Sequence, residues 1–81
     1  MSSEHALSYT ALFDPAPEGG FVVTVPVLPG CMSQGETLED AKRNIQDAIR
    51  AYVSVLKEDG DEIPRESHDQ IIETVSALEP A

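Results

Sequence analysis

Cys31, His5 and His68 are the side chains of this 81-residue chain whose types suit nucleophilic or metal chemistry. Nucleophilic catalysis needs a base within reach of the nucleophile, and a metal site needs several ligands on rigid elements. Neither spacing occurs: His5 and His68 stand in the two stretches with the least hydrophobic patterning, and neither forms a helical i, i+4 pair with another ligand. Cys31 follows Pro29-Gly30 and reads as a small buried apolar residue rather than a reactive thiol. A single cysteine also excludes an intramolecular disulfide framework and a cysteine-based zinc site. Gly19, Gly20, Gly30 and Gly35 match no phosphate-binding fingerprint and read as turn residues. Glu36, Glu39 and Asp40 could ligate a divalent cation, but their position at a helix start is explained by the helix dipole. The expectation is a protein without catalytic residues, metal or cofactor.

Charge narrows the partners. Fifteen Asp and Glu against five Lys and Arg give a net charge of −10, which opposes direct binding to nucleic acid because no phosphate-neutralising surface is available. Tyr9, Phe13, Phe21 and Tyr52 have no interleaved basic residues and read as core or interface aromatics, not as a stacking platform. The field favours a basic protein partner, with solubility as the plain alternative. No apolar run approaches the roughly 20 residues that span a bilayer, so a soluble cytoplasmic protein is expected.

The elements that would position these groups are short. From Leu38 to Leu56, the residues Leu38, Ala41, Ile45, Ala48, Ile49, Tyr52, Val53 and Leu56 fall on one side of a helix, with Glu39, Arg43, Gln46, Asp47, Arg50 and Ser54 opposite. Thr37 is suited to cap its start and Gly60 its end. Upstream, Ala6–Phe13 alternates like a half-buried strand, DPAPEGG (14–20) is turn chemistry, and FVVTVP (21–26) reads as a central strand. Pro29-Gly30 suits the centre of a type II turn, followed by a short strand from Cys31 to about Gln34. Ile71–Leu78 is read as a fourth strand, with a helix as the alternative. Eighty-one residues allow one domain, 1–81, in which a right-handed crossover places the fourth strand parallel to the first, in the order 3-2-1-4. One helix covers one face; the other carries Ser8, Thr10, Thr24, Thr74 and Ser76, mixed with Leu12, Val22 and Leu78, and is either solvated or a protein-binding surface.

The run from Gly19 to Pro64 resembles the HicB-like antitoxin family. The matching features are Gly19, Gly20, Pro26, the LPGC of Leu28–Cys31, the SQGET of Ser33–Thr37, the Glu39-Asp40-Ala41 helix start, and Gly60, Ile63 and Pro64 after the helix. Val27 departs from the pattern, standing where many relatives carry Asp. The resemblance implies an α+β, partial RNase H-like fold of β-β-β-α-β order, a four-stranded mixed sheet with one long helix on one face, and no nuclease activity. It also implies a partner, a small basic HicA-type toxin that cleaves mRNA. Many relatives carry a further DNA-binding segment; this sequence runs to Ala81 without one, so no direct nucleic-acid binding is expected.

An antitoxin-like protein of a type II toxin–antitoxin system is therefore the leading reading. The alternative is an orphan homo-oligomeric module with a structural or ligand-binding role and no toxin. Candidate partner-contacting residues are the acids near the helix ends, Glu36, Glu39, Asp40, Asp61 and Glu62. Self-association as a dimer, or a tetramer, is expected of so small a chain.

Overall fold

The computed structural model describes residues 7–66 and 71–80, in which three strands and one helix follow one another as β-β-β-α. Strands β1 (Leu12–Pro15), β2 (Phe21–Thr24) and β3 (Met32–Gly35) form an antiparallel sheet in the order β1-β2-β3. The helix α1 (Leu38–Glu58) packs on β2 and β3. The register places Phe13 opposite Val23 and Val23 opposite Ser33, and the adjoining row is Leu12, Thr24 and Met32. Because strand side chains alternate between faces, the first row points to the helix and the second to the open face.

The turn between β2 and β3 contributes more to the core than its composition suggests. Val25 donates its amide to the Cys31 carbonyl at 3.1 Å, and Leu28 and Cys31 close successive turns onto the Val25 and Leu28 carbonyls. Gly30 supplies the positive φ of 83° at the third residue of the Leu28–Cys31 turn. These bonds satisfy the loop backbone, so Val25, Leu28 and Cys31 can be buried with Val23, Ala41 and Ile45 in one cluster. Val27, the residue that departs from the family pattern, packs half-buried against that cluster.

Both helix ends are locally determined. Thr37 is extended, and its hydroxyl accepts from the Asp40 amide at 3.0 Å. At the other end, Gly60 (φ 73°) donates to the Lys57 carbonyl and Asp61 to that of Leu56, the paired bonds of a Schellman motif. The apolar stripe is only partly buried: Ala41, Ile45 and Val53 are inside, Ala48, Ile49, Tyr52 and Leu56 are half-buried, and Leu38 is exposed.

The strand bounds differ from the sequence reading. β1 starts at Leu12 rather than Ala6 and runs into Pro15, which an edge strand tolerates because its missing amide faces no partner. β2 ends at Thr24 because Val25 already belongs to the turn.

The larger correction concerns the fourth strand. The sheet has three strands, not four, and is antiparallel rather than mixed; Ile71–Leu78 joins no ladder and is exposed throughout. Two physical reasons account for this. The large apolar residues Ile71, Ile72, Val75 and Leu78 fall on both parities of an extended segment, so no single strand face gathers them. The chain is also tied down just ahead of β1. After the helix the chain returns beside residues 9 and 10, where the Tyr9 hydroxyl donates to the Pro64 carbonyl at 2.6 Å and the Thr10 amide to Glu66 Oε1 at 2.7 Å. The Thr10 hydroxyl also bonds Glu66 Oε2.

Candidate functional site

The five acidic candidates form two groups at opposite ends of α1. Its 21 residues separate them by roughly 30 Å at the helical rise. Glu36 and Asp40 line one side of an open cleft of about 490 Å³, across from Glu18 on the β1–β2 turn. Arg43 and Asn44 from the helix and Phe21 from β2 complete it. The cleft exists because α1 starts directly against the end of β3: the Asn44 side-chain amide donates to the Gln34 carbonyl at 2.7 Å. Gly35 sits under the first helical turn, where a Cβ would lie 2.3 Å from the Ala41 amide nitrogen.

The acids at this end have structural partners. Asp40 pairs with Arg43 at 3.3 Å and Glu39 with Lys42 at 3.9 Å, both i, i+3 on the exposed helix surface. Each also lies in the first turn, where the helix dipole favours negative charge. Glu39 is not part of the cleft lining. Capping and solvation thus explain Glu39 and Asp40 as they stand.

The other end is different. Glu58, Asp59, Asp61 and Glu62 are exposed around the C-terminus of α1 with Lys57 as the one basic residue of its last turn. Among the described residues, none of the four makes a side-chain hydrogen bond or ion pair. Carboxylates are unfavourable at the negative end of a helix dipole, so folding gives no reason for this concentration.

Sequence reasoning named Asp61 and Glu62 but passed over Glu58 and Asp59, whose adjacency to Gly60 in KEDGDE was the available signal. It also passed over Glu18, which reaches the helix start only through the hairpin fold.

The groups considered for chemistry remain apart. Cys31 is buried against Leu28 and Val25, and desolvation pushes its thiol pKa up, away from nucleophilic reactivity. His5 and His68 lie outside the described residues. Among the described residues, no group of three or more His, Cys, Asp and Glu is arranged to hold a metal ion. No helix described is long and apolar enough to cross a membrane.

Fold and surface together define a small acidic α+β domain whose buried residues, among those described, are apolar. The chain belongs to the HicB-like antitoxin family of bacterial toxin–antitoxin systems, whose family model matches residues 9–79. It is 43% identical over 65 residues to a UPF0150 protein of Thermoplasma acidophilum, covering 80% of this chain and 94% of that one. A UPF0150 protein of Synechocystis is 38% identical over 78 residues, covering 96% of each chain. Antitoxin HicB of Escherichia coli K12 is 35% identical over 71 residues, which cover 83% of this chain and 51% of that protein. The chain thus spans about half the length of this last relative.

Proposed function

We propose that this protein binds and neutralises a small basic toxin of the HicA type, covering the toxin's RNA-contacting surface by steric and electrostatic complementarity. Its family and its similarity to antitoxin HicB support an antitoxin role. The observation that carries the charge-based part is the acidic end of α1, where Glu58, Asp59, Asp61 and Glu62 stand without cationic partners among the described residues, at the pole of the helix that disfavours them. A basic surface docked there would supply the missing counter-charges, and the net charge of −10 would steer it in and repel RNA. The acids of the cleft, Glu36 and Asp40 with Glu18, extend the same field to the other end of the helix.

The test is an RNA-cleavage assay with a purified toxin of the HicA type. Stoichiometric addition of this protein is expected to abolish cleavage, with protection weakening as salt rises. Replacing Glu58, Asp59, Asp61 and Glu62 by their amides should slow association about tenfold at low salt, since rim charges act mainly on the on-rate. Undiminished cleavage in a several-fold excess of the folded protein would reject the proposal.

A further inference from the structure

The far side of β3 is an open edge. In the order β1-β2-β3 no strand lies beyond it among the described residues. The Val25 amide bonds the Cys31 carbonyl, so Ser33 and Gly35, two and four residues on, turn their main-chain groups to β2, while Met32 and Gln34 turn theirs outward. The Asn44 side chain reaches the Gln34 carbonyl from that outer side. Among the described residues, the Met32 amide and carbonyl and the Gln34 amide have no partner. Sheet edges are ordinarily blunted by charge or proline. The other edge, β1, carries Asp14 and Pro15, whereas the Met-Ser-Gln-Gly of β3 carries neither.

The helix holds an apolar strip beside that edge. Asn44 marks the flank of α1 nearest to it, and at 100° per residue Ala48, Ala51 and Val55 lie within about 40° of Asn44. Ala48 is half-buried, Ala51 is exposed and Val55 is 56% exposed. Helix and strand run in opposite directions, since Asn44 bonds Gln34 and Tyr52 bonds Pro29. Ala48 therefore stands level with Met32, because four residues of helix and two of strand both advance by about 6–7 Å. Further along the same flank come Ala51, Val55 and the carboxylate of Glu58. Small side chains beside a bare strand edge leave room for one more strand, and the acids at the far end of α1 set the charge that it must carry.

We propose that β3 and the Ala48–Val55 flank of α1 form a groove that takes up an extended segment of the basic partner as a further strand of the sheet. The main chain of that segment bonds Met32 and Gln34, its alternate side chains are apolar and rest on Ala48, Ala51 and Val55, and a Lys or Arg beyond them meets Glu58. Main-chain bonds then supply affinity and the alternate side chains specificity. A second copy fits less well, because each copy carries a charge of −10 and would bring acids to acids. The identity of the partner rests on the antitoxin reading, and the test separates the groove from that reading.

Amide hydrogen exchange of the full chain, free and saturated with a purified toxin of the HicA type, reads the edge residue by residue. The Met32 and Gln34 amides should exchange fast in the free chain and at least a hundredfold more slowly in the complex, while Ser33, already paired with β2, is protected in both. Gln34→Pro removes an outward amide and sets a ring in the path of an added strand without touching the β2 ladder, so toxin binding should weaken at least tenfold. Ala51→Gln keeps a good helix former and fills the strip with a longer polar side chain, for a loss of at least fivefold. A thermal melt of each variant verifies the fold, and the exchange pattern of the wild type decides even if the proline variant does not fold. Tight binding by the wild type with Met32 and Gln34 exchanging as in the free chain would overturn the groove and leave the antitoxin reading standing. A toxin that the wild type does not bind would overturn both. Protection of the two amides that grows with the concentration of the free chain would assign the edge to a second copy, and would overturn the proposal as well.

Discussion

Gly35 and Ala41 meet backbone to backbone: a Cβ built on Gly35 would lie 2.3 Å from the Ala41 amide nitrogen and 2.7 Å from its Cα. The glycine of the SQGET stretch is thus a matter of space rather than of dihedral freedom, for its φ is not positive. It lets α1 begin directly over the end of β3, which in turn lets Asn44 bond the Gln34 carbonyl and sets the shape of the cleft.

Gly35→Ala must push the first helical turn off the sheet, because the neighbouring atoms are backbone and cannot rotate aside. The expected cost is about 3 kcal/mol, at the upper end of overpacking effects. Chemical denaturation would show it as a lowered midpoint. An unchanged midpoint would mean that the helix start can slide freely on β3.

The acidic end of α1 makes an opposite prediction for stability. Asp59→Asn and Asp61→Asn remove negative charge from the C-terminal pole without touching the Schellman bonds, which are made by backbone groups. Each should stabilise by about 0.5 kcal/mol at low ionic strength, together raising the melting temperature by about 5 °C. The gain should shrink in salt. A fall in melting temperature would show that these carboxylates do serve the fold, and would weaken their assignment to a partner.

Tyr9 and Pro64 tie the segment after the helix to the flank of β1, and Thr10 and Glu66 repeat the tie one step on. Tyr9→Phe keeps the ring's packing against the core and deletes only the hydroxyl donor. The cost should be about 1 kcal/mol, the net worth of one such bond. Trypsin cleavage at the exposed Arg65 should quicken accordingly, since local opening there becomes easier. Cleavage at the wild-type rate would show that Glu66 holds the segment alone.

The parts of this fold legible in the sequence are those fixed by local chemistry. Thr37, Gly60 and the apolar spacing of Ala41, Ile45 and Val53 located α1, and Pro29-Gly30 located the turn before β3. Ile71–Leu78 misled because β-branched residues favour a strand wherever a ladder awaits them, and whether one awaits depends on tertiary register. Here Pro64 and Glu66 occupy the approach to β1 through contacts some 55 residues distant in sequence. The candidate acids were individually visible, yet the difference between them was not. Asp40 and Glu39 find Arg43 and Lys42 one turn away, whereas Asp61 and Glu62 find no cation among the described residues. Glu18 joins the cleft only through the hairpin.

Cys31 offers a test of the core that reads in pH. Burial raises its thiol pKa above the ordinary 9.0, so the folded state holds the proton over a range in which the unfolded chain has released it. By linkage, the protein is least penalised below pH 9.0 and loses stability as pH rises from there towards the folded pKa, with a slope of at most about 1.4 kcal/mol per unit. Cys31→Ala removes the titrating group at the expense of a small cavity, about 1 kcal/mol at neutral pH. The wild type should therefore be the more stable protein at pH 7, with its advantage shrinking or reversing at pH 10, as read by urea denaturation of both at each pH. The same burial predicts slow labelling of the native thiol by a disulfide reagent, accelerating on addition of denaturant. A stability difference that stays constant from pH 7 to 10, or native labelling as fast as in denaturant, would place Cys31 at the surface and require a different packing of the Val25–Cys31 turn.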